Sequence, residues 1–164
     1  MNNMKLSLIT FIMIFFLSLS MSSCGKNNEL GITQENANNT NGNTTNPAGS
    51  KMKITIGTAV FTATLSNNST GNAFKTRLPI TLNMTELNSN EKYVDFQTAL
   101  PSNAANPGTI QTGDLLLYGS NTLVLFYKTF STSYRYTSIA RIDNPSGLAA
   151  ALGNENVTVK FELE

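Results

Sequence analysis

Gly113-Asp114-Leu115-Leu116-Leu117-Tyr118-Gly119-Ser120-Asn121-Thr122-Leu123-Val124-Leu125-Phe126-Tyr127 sets two apolar runs on either side of a Gly-Ser-Asn turn. Runs of this length, apolar without a break and bounded by turn residues, read as strands covered on both faces. The Gly119-Ser120-Asn121 turn folds them back on one another as a central hairpin, and Gly113-Asp114 makes the tight turn into its first strand.

Upstream, Met52-Lys53-Ile54-Thr55-Ile56 alternates with period two, and after Gly57-Thr58 the pattern resumes at Phe61-Thr62-Ala63-Thr64-Leu65. This predicts a hairpin with Met52, Ile54 and Ile56 facing the same core as Phe61, Ala63 and Leu65. Ser66-Asn67-Asn68-Ser69 offers helix-cap residues, and Ala73, Phe74, Arg77 and Leu78 follow at helical spacing until Pro79 stops them, which gives a helix of about two to three turns. Ile80-Thr81-Leu82-Asn83-Met84 and Tyr93-Val94-Asp95-Phe96 read as the third and fourth strands. Downstream, Tyr136–Ile142 is a strand, Asn144-Pro145-Ser146-Gly147 caps a small helix ending near Leu152, and Val157–Leu163 alternates with Val157, Val159, Phe161 and Leu163 inward. The fold class is therefore mainly β. About eight short strands with two short helices predict a closed barrel, because closure removes exposed strand edges.

The order of these features resembles the bacterial cyclophilin-like fold proteins: hairpin, helix ending in Leu78-Pro79, strand, Gly-x-Ile-x-x-Gly-Asp from Gly108 to Asp114, Leu-x-Leu-Phe-Tyr from Leu123 to Tyr127, Ile-Ala-Arg-Ile from Ile139 to Ile142, and an alternating last strand. The resemblance covers nearly all of residues 51–164 and implies a cyclophilin-like barrel of about eight strands capped by helices. True cyclophilins carry a Phe-His-Arg triplet on the strand after the first helix. Here that strand is Ile80-Thr81-Leu82-Asn83-Met84, so the arginine that polarises the prolyl nitrogen has no counterpart.

The amino-terminal region has a different character. A basic start at Lys5, an apolar run over residues 6–19 and the small residues Ser22-Ser23 before Cys24 resemble a bacterial lipoprotein signal. As a helix the run spans about 21 Å, short of the roughly 30 Å hydrocarbon core, which suits an export signal better than a permanent span. The resemblance implies cleavage after residue 23 and lipidation of Cys24. Residues 24–50, rich in Asn, Thr and Gly, hold too little apolar surface to fold and read as a flexible tether. The expected organisation is thus a signal peptide over 1–23, a tether over 24–50 and a barrel over 51–164. The localisation expected with it is the bacterial cell envelope, on a membrane and facing the periplasm or the surface.

Composition narrows the chemistry. Eleven basic against ten acidic residues leave no electrostatic footprint for nucleic acid. With no histidine, neither a Ser-His-Asp nor a Cys-His site can be assembled, nor any imidazole-dependent zinc or haem site. The single cysteine is committed to lipid, so no metal and no cofactor are expected.

Candidate residues remain. Glu91, Asp95 and Asp143 could supply the two acids, about 5 to 10 Å apart, that glycoside hydrolysis needs, but their spacing shows no convergence. Asp114 reads as the fixer of its own turn. The loop Phe130-Ser131-Thr132-Ser133-Tyr134-Arg135-Tyr136 reads first as a β-prone loop with aromatic core plugs, and its composition also suits a contact surface. Arg141 alternates in phase with Ile139, which puts it on the lumen or apolar face, where it needs a partner such as Asp143 or Asp114. The ligand-binding candidates are Tyr118, Phe126, Ser133, Tyr134, Arg135 and Arg141, and no catalytic residue is assigned. The expected function is non-enzymatic: a membrane-anchored domain using its barrel mouth or the 130–136 loop to bind a peptide or small molecule. The alternatives are a peptidyl-prolyl isomerase of altered mechanism and a purely structural envelope component.

Overall fold

The computed structural model describes residues 50–164; the leader, Cys24 and the tether through residue 49 lie outside the described residues. The first hairpin forms as its alternation dictates. β1 (Lys51–Ile56) pairs with β2 (Ala59–Leu65), Met52 opposite Ala63 and Ile54 opposite Phe61, all four buried. α1 (Ser69–Lys75) starts at Asn68, whose side-chain oxygen accepts from the Gly71 N–H at 2.7 Å. Gly71 is required at this point, since a Cβ there would stand 2.2 Å from the Ser66 carbonyl oxygen. This close approach seats Phe74 in the core, edge-on to Phe161 with ring centroids 5.8 Å apart.

β3 (Ile80–Leu87) and β4 (Glu91–Asp95) follow, then β5 (Thr109–Ile110), β6 (Asp114–Tyr118), β7 (Thr122–Phe126), β8 (Phe130–Ser131), β9 (Tyr136–Ile142), α2 (Leu148–Leu152) and β10 (Val157–Leu163). Eight strands close into an antiparallel barrel in the order β1-β10-β3-β4-β7-β6-β9-β2. β5 and β8 form a separate two-stranded sheet, β8 lying within the loop expected over residues 130–136. Along β10, Val159 and Phe161 are fully buried, but Leu163 emerges at the barrel's end with 44% of its surface exposed.

The two helices occupy opposite ends. α1 follows β2 and covers the end where β6 finishes and β7 begins; α2 joins β9 to β10 at the other, with Leu148 and Leu152 buried. The main core is the filled lumen, which includes Leu115, Leu117, Leu123 and Leu125. A second, smaller core lies outside the barrel wall, where Ile110 and Phe130 of the small sheet cover Leu116, Val124 and Phe126. This outer layer is why the central hairpin is apolar without alternation. Each such fully buried side chain contributes about 1.5–3 kcal/mol relative to exposure.

One irregularity matters for the site. Leu115 faces Ala140 but Leu116 faces Ser138, so Ile139 is an extra residue in β9. The bulge reverses the phase of the strand: Thr137 and Ile139 are buried before it, Ala140 and Ile142 after it.

Candidate functional site

The small sheet covers only part of the outer wall, and beside it a groove of about 390 Å³ runs along β4. Its construction follows from register. Asp95 pairs with Thr122, Thr122 with Tyr118 and Tyr118 with Tyr136, so these four side chains stand on one outward rung across β4, β7, β6 and β9. The next rung toward α2 carries Tyr93 and Val124, and Glu91 stands one rung further. Tyr134 reaches in from the loop before β9, its ring perpendicular to Tyr118 with centroids 6.1 Å apart. Tyr136 packs at 5.6 Å on Tyr118 from one side and edge-on at 5.6 Å to Phe126 from the other. The chain has five tyrosines, and four of them line this groove.

Its electrostatics are acidic. Glu91 and Asp95 line the groove together with Asn88, Thr122 and apolar or aromatic groups; no lysine or arginine does. Asp95 accepts a hydrogen bond from the Thr122 hydroxyl at 2.6 Å. Burial, together with the nearby Glu86 charge, pushes the Glu91 carboxyl above the usual carboxylate range, and no donor offsets them. The Tyr136 hydroxyl is pushed up to about 12, first by burial and then by the Glu91 charge.

A second polar cluster lies on the inward side of the same strand. Lys92 is completely buried, and its ammonium donates to Glu86 Oε2, to the Gly153 carbonyl at 2.9 Å and to the Glu155 carbonyl at 2.7 Å. An ammonium has three N–H bonds, so Lys92 is saturated. Glu86 also accepts from the Tyr127 hydroxyl at 2.9 Å and from the Ser89 N–H at 2.8 Å. Burial raises the Glu86 carboxyl, but the Lys92 and Tyr127 hydrogen bonds outweigh it and hold it below the usual range. The Tyr127 hydroxyl is correspondingly pushed up to about 12, by burial and then by Glu86. With every donor of Lys92 engaged, the cluster has no free nucleophile. It ties the α2–β10 loop to the barrel wall.

The structure sorts the candidate residues. Tyr118 and Tyr134 line the groove and are exposed. Phe126 does not reach solvent: it is fully buried under Phe130 and Tyr136, and so forms the floor that holds Tyr136. Ser133 is exposed beside Tyr134 but outside the groove lining, and Arg135 donates to the Ala104 carbonyl at 2.6 Å. Arg141 departs from the expectation drawn from Ile139. The bulge turns it outward, where 60% of its side chain is exposed and its Nε lies 3.7 Å from Asp114 Oδ1, one of the two partners the sequence suggested. Asp114 meanwhile fixes its turn by accepting from the Gln111 N–H at 2.8 Å.

Of the three carboxylates weighed for hydrolysis, Asp143 pairs with Lys51 at 2.7 Å, away from the groove. Glu91 and Asp95 share the groove but sit four residues apart on one strand, about 13 Å along it. Among the described residues, no group of three or more His, Cys, Asp or Glu is placed to hold a metal ion. The sequence reading passed over Tyr93, Glu86 and Lys92. The signal that finds the groove is the alternation Glu91-Lys92-Tyr93-Val94-Asp95, which sends Glu91, Tyr93 and Asp95 to one face.

A closed eight-stranded antiparallel barrel with a helix at each end and a groove on its outer wall is a cyclophilin-like barrel. The model of the Cyclophilin-like family matches residues 54–162, nearly the whole barrel, and the chain belongs to that family. Among solved structures, it is similar to a hypothetical protein from Archaeoglobus fulgidus whose structure was determined in solution. The two are 20% identical with a TM-score of 0.49, and the match covers 71% of this chain and 96% of the archaeal one. No curated protein matches the chain.

Proposed function

We propose that this chain is a lipid-anchored protein of the cell envelope whose cyclophilin-like barrel binds a small ligand or peptide without catalysis, in the groove along β4. The observation that carries the binding reading is the gathering of Tyr93, Tyr118, Tyr134 and Tyr136 around one concavity. Leu87, Tyr118 and Tyr134, three of the five large hydrophobic side chains exposed among the described residues, line it as well. Such concentration of exposed apolar surface marks a contact site. The barrel mouth is the weaker place, because α1 and α2 cover its two ends and the lumen is filled.

The absence of catalysis is supported by the state of the reactive groups. Lys92 is saturated, Asp95 is engaged by the Thr122 hydroxyl, and neither Arg135 nor Arg141 lines the groove. A prolyl isomerase built on Arg141 therefore gains no support. The anchor is supported by the apolar run over residues 6–19 followed by Ser22-Ser23-Cys24.

A thermal-shift screen of small molecules and peptides against the wild type and Tyr134→Ala tests the groove. Tyr134 is 62% exposed, so the variant keeps the fold, and a ligand of the groove raises the melting temperature of the wild type alone. Compounds that stabilise neither protein, or both equally, place binding elsewhere or nowhere. Mass spectrometry of the mature amino terminus tests the anchor; an unmodified Cys24 thiol sinks it.

A further inference from the structure

Resting on the reading of the groove as a binding site, we propose that its occupant is a small alkylammonium cation, held with its charged head against the Tyr118, Tyr134 and Tyr136 rings and within the field of Asp95 and Glu91. The ring geometry is the first ground. Tyr134 stands at 88° to Tyr118 and Tyr136 at 52° to it, so the three rings form walls at an angle to one another and not a flat stack. Aromatic faces arranged as walls attract cations through the negative charge of their π clouds, and alkylated ammonium ions, being weakly hydrated, benefit most.

The second ground is charge. Asp95 lies on the same rung as Tyr118 and Tyr136, Glu91 lies at the other end of the groove, and no lysine or arginine lines it. An anion would meet two carboxylates and no counter-charge. The third is size and shape. About 390 Å³ falls in the range of small-molecule sites, roughly 300 to 1,000 Å³. All four strands behind the groove are paired on both sides within the closed barrel, so an extended peptide finds no open strand to join there.

The chain supplies its own reporter. It contains no tryptophan, and four of its five tyrosines line the groove, so tyrosine emission reads the site directly. The full chain in a maltoside detergent is titrated with choline and, separately, with 3,3-dimethylbutan-1-ol, its neutral carbon isostere. Choline produces a saturable emission change, and the isostere binds at least about ten-fold more weakly. Asp95→Asn combined with Glu91→Gln weakens choline and leaves the isostere unchanged; Tyr134→Ala weakens both. Equal affinity for the two probes overturns the cation proposal while leaving the groove a binding site. No response to choline overturns it too, and the groove reading falls with it only if the thermal-shift panel also yields no compound whose effect depends on Tyr134.

Discussion

Glu91 and Lys92 are neighbours in the chain, yet they belong to opposite kinds of polar site. On the inward side of β4, the Glu86 carboxylate, the Lys92 ammonium and the Tyr127 hydroxyl satisfy one another and two loop carbonyls. On the outward side, Glu91 and Asp95 stand among tyrosines with acceptor capacity to spare. The ingredients are nearly the same, carboxylates and tyrosines, and what differs is whether a cation is already built in. A polar cluster that contains its own counter-ion holds the fold together; one that lacks it is left with a field for something else to fill. Strand alternation separates the two by a single residue.

Breaking the inward cluster carries the largest expected effect. Lys92→Met leaves the Glu86 carboxylate and the carbonyls of Gly153 and Glu155 without their donor, and removal of one partner from a buried pair costs about 3–5 kcal/mol. Urea denaturation monitored by circular dichroism measures it. The double variant Glu86→Gln with Lys92→Met recovers part of the loss; if the single variant is as stable as wild type, the cluster is not what ties the loop down.

Gly71→Ala comes next, with a loss of about 1–3 kcal/mol from forcing α1 off the Ser66 carbonyl. It disturbs the end of the barrel remote from Lys92, so the two losses add within about 0.5 kcal/mol.

The pH dependence separates the two carboxylates by sign. The folded Glu86 group titrates below its ordinary 4.5, so its stabilisation is fully present above that value and is lost as pH falls through the folded pKa. Glu86→Gln therefore lowers stability at neutral pH and reduces the steepness of acid unfolding. Glu91 titrates above 4.5 in the folded state, so its charge opposes folding at neutral pH. Glu91→Gln gives a small rise in melting temperature at pH 7 that disappears at acid pH. Two substitutions of the same chemistry, five residues apart, are expected to move the midpoint in opposite directions. A fall in stability from Glu91→Gln at pH 7 would show that its charge is already paired.

The smallest effect is expected at Tyr134. An exposed ring changes stability by no more than about 0.5 kcal/mol when truncated to alanine, while binding in the groove is lost. A large destabilisation would make the tyrosine cluster part of the fold's own support.

Sequence patterning carried the barrel further than it carried the groove. The β1–β2 and β6–β7 hairpins were legible because the first alternates and the second is apolar throughout, and the structure supplies the reason for the second in the layer that Ile110 and Phe130 lay over Leu116, Val124 and Phe126. That layer was not itself legible: β5 and β8 are two residues each, too short for any periodicity to register. The phase of Arg141 was misread for a related reason, since one extra residue at Ile139 inverts every later side chain and leaves no mark in composition. Tyr118 and Tyr134 were recognisable as contact residues from their type and position. Their convergence with Tyr93 was not, because β4 pairs with β7 across residues 96–121 and no local pattern marks that pairing.

The closing strand has a kinetic implication. β10 lies between β1 and β3, so the first and last strands of the domain pair with one another, while β2 joins the same hairpin to β9 on its other side. Such long-range pairing makes for slow folding. The cylinder is sealed only when residues 157–163 have taken their place between β1 and β3.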